Sequence, residues 1–460
     1  MSVVQPIQFD GALLQKYDRP LPRYTSYPTA AEFTADFDSH CFQRELLRSN
    51  EGHLPLSLYV HIPFCQTACY FCGCNVIVTQ SQTIAKTYLD ALAEEIAQVA
   101  ARLDRTRPVI QMHWGGGTPN YLTIDQVESL WRTLTHHFEF ANDAEISIEV
   151  NPRYIDREYL FRLRDLGFNR ISFGVQDFDP QVQLAVNRVQ PEAWLFQVME
   201  WIRAAEFESV NIDLIYGLPF QTVQSFETTI AKTVRLDPDR IAVFNFAYLP
   251  NLKPIQKRID PATLPDGTTK LAILQRVIET LTSQGYQYIG MDHFAKPTDE
   301  LAIAQAAGTL KRNFQGYTIL PPADLIGFGL TSISMLQEAY AQNQKHLATY
   351  FSDIAAGQLA TERGIQLRPE DLLRRTIIMA LMCQFTLDKG AIARQFQLDF
   401  DAYFAPELAA LQDLAADGLI HLGRDRLEVT PVGRLLIRNV AAVFDTYLQH
   451  KSGKTFSKAI

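Results

Sequence analysis

The 460-residue sequence has no uninterrupted apolar run long enough to cross a bilayer, and its start, MSVVQPIQFDG, has neither a basic region nor an apolar core. We therefore expect no membrane partner, no secretory signal peptide and a cytoplasmic protein. Cysteine is also scarce, with six residues in the whole chain. Because cytoplasmic thiols are kept reduced, a disulfide framework is largely excluded.

The sequence also lacks an excess of basic residues, with 42 Lys and Arg against 51 Asp and Glu and a formal net charge of −9. Nucleic-acid-binding proteins usually carry a basic patch or stripe, so no nucleic-acid partner is expected. Solenoid-type repeats, low-complexity tracts and long heptad seams are absent as well, and we expect a monomer. An anionic substrate would need cations that are gathered locally.

What the sequence does contain is an alternation of short apolar segments with amphipathic ones. Residues 56–63, 109–117, 144–152, 170–176, 210–219 and 240–250 are rich in Val, Ile, Phe and Tyr, which predicts strands buried on both faces. Helical periodicity predicts helices over 84–103, 156–166, 191–205, 221–235 and 268–284, and Thr123 with Gln126 predicts a capping box. The alternation predicts a parallel sheet with helical crossovers, either doubly wound or a partial or complete barrel.

Changes in composition divide the chain into three expected parts. Residues 1–50 include the Pro- and Tyr-rich YDRPLPRYTSYPTAAEF and are expected to form an N-terminal arm, while residues 51–365 carry the strand–helix alternation of the main domain. Residues 366–460 have mostly helical patterns with a hairpin at LIHLGRDRLEVT, an order that resembles a winged helix. Because no basic stripe accompanies it, we expect a structural lid rather than a DNA-binding domain.

Four of the six cysteines, Cys65, Cys69, Cys72 and Cys74, lie in the stretch CQTACYFCGC. This loop directly follows a predicted parallel strand, at the strand edge where α/β folds bind ligands. A structural zinc site normally takes ligands from two separated turns, and a redox C-x-x-C pair needs neither Cys65 nor Cys74. The spacing therefore favours an iron–sulfur cluster, with zinc and a group of buried thiols left open.

The neighbouring strands end in residues that suit a ligand pocket. Three glycines in HWGGGTP (113–119) follow the second strand, where they allow a ligand to approach the backbone or simply form a tight turn. Glu149, Gln176 and Asp213 lie within or at the ends of later strands. A single buried polar residue is usually structural, but three at one edge of a sheet predict a shared polar pocket.

The C-x3-C-x2-C loop, the GGGTP turn and these strand residues resemble the radical S-adenosylmethionine superfamily. Longer motifs resemble its oxygen-independent coproporphyrinogen III oxidase family: PRYTSYPT (22–29), YVHIPFC (59–65), CYFCGCN (69–75), FNFAYLP (244–250), RNFQGYT (312–318) and AYAQNQK (339–345). The resemblance spans the chain from about residue 15 to its end. It implies an α/β fold with a partial (β/α)6 TIM-like barrel of parallel strands as the catalytic domain, an N-terminal arm and a mostly helical C-terminal domain.

By this resemblance, Cys65, Cys69 and Cys72 would ligate a 4Fe–4S cluster, whose fourth iron chelates S-adenosylmethionine, and Cys74 would be a family marker that is not a ligand. The residues expected around the methionyl and adenosyl groups are Tyr59, Phe71, Gly116, Gly117, Thr118 and Glu149. Those expected around a second S-adenosylmethionine are Gln176, Arg188, Asp213, Ala247 and Ile333. Tyr248 stands where close relatives often carry His, and a packed aromatic at the strand end is the alternative to a role in the site.

The resemblance also implies a reaction. One electron from the reduced cluster cleaves S-adenosylmethionine, and the resulting 5′-deoxyadenosyl radical removes a hydrogen from the β-carbon of a substrate propionate. Carbon dioxide leaves, one electron passes to an acceptor and a vinyl group remains. Two such decarboxylations convert coproporphyrinogen III to protoporphyrinogen IX in haem biosynthesis. The expected partners are therefore the porphyrinogen, a low-potential electron donor and an electron acceptor.

Because this substrate carries four carboxylates, cations should line its site, preferably Arg. Arg23 and either Lys311 or Arg312 lie in the family motifs and are hypothesised to bind propionates, the alternative being solvated surface charges. The alternative function is that of a haem-binding chaperone of the same superfamily. Such relatives generally lack the PRYTSYPT arm and the fourth cysteine, and they carry an HNxxYW-type motif where this chain has RNFQGY, which favours the oxidase. A zinc-binding structural protein is the third possibility.

Overall fold

The computed structural model describes residues 7–449, which form an α/β protein. The strands are β1 (Leu56–Ile62), β2 (Phe64–Cys65), β3 (Ile77–Val78), β4 (Val109–Gly116), β5 (Phe140–Val150), β6 (Arg170–Gln176), β7 (Ser209–Tyr216), β8 (Arg240–Asn245), β9 (Gln287–Gly290), β10 (His293–Ala295), β11 (Lys311–Asn313), β12 (Gly316–Thr318), β13 (Asp324–Phe328), β14 (Ile333–Met335), β15 (Ala339–Asn343), β16 (Thr361–Gln366), β17 (Thr386–Asp388), β18 (Ile420–Leu422) and β19 (Arg426–Val429).

The α-helices are α1 (Gly11–Tyr17), α2 (Ser39–Ser49), α3 (Gln82–Ala100), α4 (Ile124–His137), α5 (Arg157–Asp165), α6 (Pro180–Ala185), α7 (Glu192–Ala204), α8 (Val223–Leu236), α9 (Gly267–Ser283), α10 (Glu300–Ala307), α11 (Leu347–Ala355), α12 (Pro369–Gln384), α13 (Lys389–Phe396), α14 (Phe400–Tyr403), α15 (Ala405–Ala410), α16 (Gln412–Ala416), α17 (Ile437–Ala442) and α18 (Thr446–Gln449). Short 3-10 helices lie at Ala30–Glu32, Asn50–Gly52, Pro119–Tyr121, Pro152–Tyr154, Pro254–Arg258 and Pro261–Thr263. Within residues 7–449, no helix is both long enough and apolar enough to span a membrane.

The chain divides into two compact units. The larger one comprises residues 33–265 and 320–366, and the smaller one comprises the described residues up to 32, residues 266–319 and those from 367 onward. The expected division at residues 50 and 365 stays a prediction. Residues 266–319 interrupt the sequence of the larger unit, and nothing in their composition indicated this.

The larger unit is built on one sheet, in which the strands follow the order β16-β15-β14-β13-β1-β4-β5-β6-β7-β8. The pairs from β13 through β1 to β8 are parallel, whereas β14, β15 and β16 extend the sheet in antiparallel fashion. From β1 to β8, each later strand joins the same side of the strand before it, without the reversal of order that defines a doubly wound sheet. The predicted partial (β/α)6 barrel is therefore confirmed.

The strands form where apolar side chains recur, and the helices begin at capping residues. In β1, Leu58 and Val60 are fully buried on one face, while Ser57 and His61, 2% and 6% exposed, are buried on the other, as expected for a strand that is covered on both faces. The predicted capping box at the start of α4 is present, because the Thr123 side chain accepts from the N3 amide while Gln126 accepts from the Thr123 amide. Because the six barrel strands run parallel, their carboxyl ends meet at one edge of the sheet, and helices connect each strand to the next.

A buried polar network ties α3 to the turn after β13. Glu95, which is 2% exposed, accepts hydrogen bonds from the Gly329 amide at 2.7 Å, the Tyr350 hydroxyl at 2.6 Å and the Asn343 side-chain amide at 2.5 Å. Burial raises the pKa of Glu95 to about 7. Tyr88 lies about two helical turns before Glu95 on α3, and its hydroxyl donates to the carbonyl of His61 at 2.7 Å. The helix therefore also supports the end of β1.

In the smaller unit, α12 packs against α17 and β11, and the strands β17, β19 and β18 form a small antiparallel sheet. The predicted hairpin at LIHLGRDRLEVT is present as β18 and β19. The described start of the chain packs on α17, where Arg438 donates through Nε to the Pro22 carbonyl at 3.0 Å. The mostly helical character predicted for the C-terminal region is therefore confirmed.

Candidate functional site

A cavity of about 490 Å³ lies in the larger unit at the carboxyl ends of the parallel strands. It is bordered by the cysteine loop, the glycine turn after β4, the ends of β5 to β7 and the segment 252–255. The lining residues that sequence analysis had singled out are Cys65, Cys69, Phe71, Cys72, Cys74, Gly116, Gly117, Thr118, Glu149, Gln176, Arg188 and Asp213. The predicted polar pocket at one edge of the sheet is thus formed by residues that lie up to 148 positions apart in sequence, since it includes both Cys65 and Asp213.

The cysteine loop is held by its backbone on three sides. Its first strand, β2, pairs with β3, with Phe64 opposite Ile77 and Cys65 opposite Val78. Farther along, the Asn187 side-chain amide donates to the carbonyl of Ala68 at 2.7 Å. The Gln256 side-chain amide donates to the carbonyl of Phe71 at 3.2 Å. The loop is therefore positioned by segments on both sides of the cavity.

The four thiols of the loop line the cavity without meeting at one point. All six cysteines of the chain are free, and no three His, Cys, Asp or Glu side chains among the described residues converge closely enough to hold a single metal ion. The tetrahedral zinc site that the sequence left open needs such convergence. A multinuclear cluster instead takes each thiolate on a different iron, so ligands spread around one cavity suit it.

Two guanidinium groups point at Cys69. Arg153 donates to its Sγ at 3.6 Å and to the Thr67 hydroxyl at 3.3 Å. Arg188 donates to the same Sγ at 3.5 Å and to the carbonyl of Gly174 at 2.7 Å. Cationic donors of this kind stabilise a thiolate and, with it, an anionic cluster.

The other thiols differ in their surroundings. Burial raises the pKa of Cys65 to about 11, although the Thr118 hydroxyl lies 3.3 Å from its Sγ. The hydrogen bond with Cys74 lowers the pKa of Cys72, helped by the cations of Lys253 and Arg188, and that same bond raises the pKa of Cys74. Cys74, whose role the sequence did not reveal, thus lies close enough to Cys72 to influence the charge of its thiol.

Neighbouring atoms occupy the space beside the glycines of the turn after β4, so that no side chain fits there. Gly116 has a φ of +113°, and a Cβ there would lie 2.6 Å from the ring of His61. A Cβ at Gly117 would lie 2.7 Å from the backbone of Pro63, and the Gly117 amide donates to the Ile62 carbonyl at 2.8 Å. These contacts answer the question left by the GGG motif, because the turn holds the entrance of the cysteine loop against β4.

Behind the turn, aromatic and polar side chains connect Tyr59 to Glu149. The Tyr59 ring stacks on His113 with centroids 6.0 Å apart, and His113 Nε2 lies 3.3 Å from a Glu149 carboxylate oxygen. Although burial acts to raise it, the pKa of Glu149 is lowered by the hydrogen bond and charge of His113 together with the Gly116 amide. Glu149 therefore faces the cavity as a carboxylate, with 47% of its side chain accessible.

His61 is held as a neutral imidazole beside this pair. Burial lowers the pKa of His61 to about 4. Its Nε2 lies 3.4 Å from the Asn75 carbonyl and its Nδ1 lies 3.1 Å from the Tyr59 hydroxyl. Since a carbonyl can only accept, Nε2 carries the hydrogen and Nδ1 accepts from Tyr59.

A second polar group occupies the ends of β6 and β7. The Asn211 side-chain amide donates to Asp213 at 2.8 Å, and the Ser172 hydroxyl donates to the same carboxylate at 3.3 Å. Burial, followed by the negative charge of Glu149, raises the pKa of Asp213 to about 7. Gln176 Oε1 and Arg188 Nε are buried atoms that have no hydrogen-bond partner within residues 7–449. Unsatisfied buried groups that face a cavity are suited to a polar ligand.

Several predicted residues lie outside the cavity lining. Tyr59 is connected to the lining residue Glu149 through His113, and the Ala247 carbonyl accepts from the Gln256 side-chain amide at 3.2 Å behind the loop. Ile333 begins β14, where its backbone lies against Gly327. Arg23, Lys311 and Arg312 belong to the smaller unit. Tyr248 packs with Phe246, their ring centroids 6.3 Å apart, and so behaves as the packed aromatic that was the alternative to a role in the site.

Sequence analysis missed several residues of the site. His113, His61, Ser172 and Arg153 each form one of the contacts above, yet none had been singled out. A histidine two positions before GGG, at the strand position facing Ser147, was the available signal for His113. Arg153 follows NP directly after a strand, which by itself indicates only a turn.

Comparisons with known proteins agree with this geometry. Residues 59–232 match the radical SAM superfamily, and residues 367–436 match the HemN C-terminal domain. The chain is 58% identical over 459 residues to the oxygen-independent coproporphyrinogen III oxidase of Synechocystis sp., covering 99% of this chain and 98% of the relative. It is 51% identical over 458 residues to the protein of that name from Escherichia coli K12, covering 99% of this chain and 100% of the relative.

A solved structure matches as well. It is described as "Coproporphyrinogen III oxidase (HemN) from Escherichia coli is a Radical SAM enzyme", with a TM-score of 0.92 and 50% sequence identity. The match covers 96% of this chain and 100% of that one. Both units of the present chain are therefore represented in a single known structure.

Proposed function

Because this chain belongs to the oxygen-independent coproporphyrinogen III oxidase family of radical S-adenosylmethionine enzymes, we propose that its cavity is the active site at which coproporphyrinogen III is decarboxylated. The chain is accordingly a radical S-adenosylmethionine oxidoreductase of haem biosynthesis, and its cofactors are a 4Fe–4S cluster and S-adenosylmethionine. The observation that carries the proposal is that the three thiols of C-x3-C-x2-C line the same cavity as Glu149, Gln176, Arg188 and Asp213.

Cys65, Cys69 and Cys72 hold the cluster on this proposal. The fit rests on thiol donors spread around a cavity, on two guanidinium groups that donate to Cys69 and on the lowered pKa of Cys72. Three thiolates leave one of four irons open to a further ligand. When bound, the cluster and S-adenosylmethionine supply the one-electron chemistry that removes hydrogen from an unactivated carbon.

The first S-adenosylmethionine is held by Gly116, Gly117, Thr118 and Glu149. The two glycines and Thr118 line the cavity beside the cysteine loop, so a ligand of the cluster can contact this turn. Glu149 is a carboxylate that suits an ammonium group, and His113 orients it at 3.3 Å. Phe71 lines the cavity and offers an aromatic wall, while Tyr59 supports His113 from behind.

A second S-adenosylmethionine is held by Gln176, Arg188 and Asp213. Within the described residues 7–449, Arg188 Nε and Gln176 Oε1 have no hydrogen-bond partner, so both a carboxylate and an amine find a counterpart. Asp213 suits a positively charged group, because a cation beside it would favour its ionised form. Ala247 and Ile333 complete this second site on the proposal, although neither lines the cavity.

Substrate propionates require cations, and Arg312 is the best candidate in the smaller unit. Arg312 is 9% exposed, its guanidinium lies 4.8 Å from the ring centroid of Tyr317, and its Nε has no partner within residues 7–449. Arg23 already forms an ion pair with Asp292, which offsets part of its charge. Lys311 is exposed on β11. We therefore expect Arg312→Lys to weaken substrate binding more than Lys311→Met does.

The proposal also includes the electron donor and acceptor, the oligomeric state and the cellular compartment. The reaction takes one electron from a low-potential donor and returns one to an acceptor for each decarboxylation. We propose a monomer that works in the cytoplasm, where the six free thiols stay reduced. Light scattering of the purified protein during size-exclusion chromatography measures its molar mass and so tests whether it is a monomer.

The deciding experiment is anaerobic turnover. The enzyme with rebuilt cluster receives S-adenosylmethionine, dithionite and coproporphyrinogen III, and the vinyl product and 5′-deoxyadenosine are measured together. Cys69→Ser should abolish both products, whereas Cys41→Ser, in α2 and outside the cavity lining, should preserve them. Stable haem binding by a cluster-loaded enzyme that forms no vinyl product would overturn the proposal in favour of the haem chaperone.

A further inference from the structure

Segments that adjoin around the cysteine loop carry five cations, although the chain as a whole is acidic. Four segments meet there: 66–78, 151–154, 180–191 and 249–259. Within these bounds they contain no Asp or Glu, although Asp156, Asp179, Glu192 and Asp260 lie within two positions of their ends. Their charged residues are Arg153, Arg188, Lys253, Lys257 and Arg258.

Contacts between these segments show that they adjoin. Arg258 lies over the ring of Tyr70, 5.5 Å from its centroid, and the Tyr70 amide donates to the Val186 carbonyl at 3.0 Å. Arg153 donates to the Asn187 carbonyl at 3.4 Å. We name the exposed part of this region, formed by Tyr70, Leu184, Asn187, Val189, Lys257 and Arg258, the loop face.

The anionic contents of the cavity explain only some of these cations. Arg153 and Arg188 donate to Cys69, and Lys253 lines the cavity and lowers the pKa of Cys72. Lys257 and Arg258 are exposed and do not line the cavity. Their charges therefore remain available to a molecule that approaches from solvent.

The loop face also exposes apolar side chains. Leu184 is 68% exposed and Val189 is 52% exposed, and they flank Asn187 on the segment that holds the loop. Exposed apolar side chains beside charged ones are typical of a small, short-lived protein contact. Such a contact is small and depends on electrostatic attraction for its rate of association.

The loop face is also a direct route from solvent to the proposed cluster ligands. Tyr70 follows Cys69 immediately and precedes Cys72 by two positions, and its ring is only partly buried. The proposed reaction needs one electron from outside for each S-adenosylmethionine that is cleaved. Because Tyr70 lies between two of these thiols in the sequence, only a few covalent bonds separate the loop face from them.

We propose that the loop face is the docking site of an acidic one-electron carrier protein that reduces the cluster. The proposal rests on the proposed function. In the step itself, the reduced carrier loses one electron and the cluster gains one, while no bond is made and no proton moves. Complementary charge brings the carrier to Lys257 and Arg258, and the exposed Leu184 and Val189 complete the contact.

The test measures binding and turnover separately, with an acidic plant-type [2Fe–2S] ferredoxin as the probe. The dissociation constant of the anaerobic, cluster-loaded enzyme is measured by calorimetry at about 0.01 M and about 0.1 M salt, where the Debye length falls from about 30 Å to about 10 Å. Lys257→Glu with Arg258→Glu should weaken binding about tenfold or more at the lower salt concentration. Turnover driven by the reduced ferredoxin should fall with it, whereas turnover driven by dithionite should not change.

Two further variants keep the result interpretable. Arg105→Glu with Arg132→Glu reverses two charges near the opposite edge of the sheet. The charge of Arg105 contributes to the lowered pKa of His137, the last residue of α4, which places Arg105 near that end of the helix. This control variant should leave ferredoxin binding unchanged. Leu184→Gln with Val189→Gln should weaken binding without loss of folding, because both side chains are already exposed.

The proposal is overturned if the wild-type enzyme does not bind the ferredoxin, or if the loop-face and control variants weaken binding equally. A wild-type enzyme that binds ferredoxin but forms no vinyl product with dithionite would instead contradict the proposed function. The two failures are therefore distinguishable.

Discussion

Replacing Gly117 by Ala should displace the cysteine loop, because the added methyl group has no space. Its Cβ would lie 2.7 Å from both the carbonyl carbon and oxygen of Pro63 and 2.9 Å from the carbonyl oxygen of Phe64. Carbon atoms in van der Waals contact lie about 3.5–4.0 Å apart, so these atoms must separate by roughly 1 Å. All three belong to the backbone, which cannot rotate away as a side chain can.

The displacement falls on the residues that precede Cys65. The Gly117 amide donates to the Ile62 carbonyl at 2.8 Å, so β4 and the end of β1 are joined at this point and cannot simply separate. Overpacking of this kind costs about 1–3 kcal/mol of the free energy of unfolding. Misplacing a reacting group by about 1 Å can slow a reaction about 100-fold. We expect Gly117→Ala to show both effects.

Gly73 supplies the matched control within the same loop. It lies between Cys72 and Cys74, and a Cβ there would have no atom within 4 Å. Gly73→Ala should therefore retain the iron content, the unfolding midpoint and the turnover of the wild type. The assay compares iron and sulfide per chain, thermal unfolding and the rate of vinyl formation in the two variants. Equal turnover in Gly117→Ala and Gly73→Ala would refute the packing argument.

Three further predictions concern titratable groups. Burial raises the pKa of Glu95 to about 7, so its contribution of about 3 kcal/mol to stability is present below pH 4.5 and is lost as the pH rises to about 7. Denaturant unfolding across this range should show that loss in the wild type and not in Glu95→Gln, and parallel profiles would contradict it. S-adenosylmethionine should bind more tightly as the pH rises through about 7, where Asp213 ionises, and calorimetry of Asp213→Asn should show a weaker pH dependence. Cys72→Ser should lose cluster iron while Cys74→Ser retains it, since both thiols line the cavity but only Cys72 is a proposed ligand; equal iron loss would count against that assignment.

Local patterns determined much of the fold. The six barrel strands and the helices between them were predicted because burial repeats at short range along the chain, and the capping box at Thr123 was predicted for the same reason. The hairpin of β18 and β19 also depends on neighbouring residues. The cysteine spacing, together with the family motifs, was enough to identify the cofactors.

The sequence by itself therefore determined the six barrel strands, most of the helices between them and the chemistry of the loop, because each depends on residues close together in the chain; the strands β9 to β16 were not predicted from it. Only the tertiary structure decided that Arg153 and Arg188, 84 and 119 positions from Cys69, donate to its sulfur. It also decided that residues 266–319 leave the larger unit, and that the strand order continues in one direction without reversal. These features depend on contacts between distant segments, which form only when the whole chain packs, and no local pattern records them.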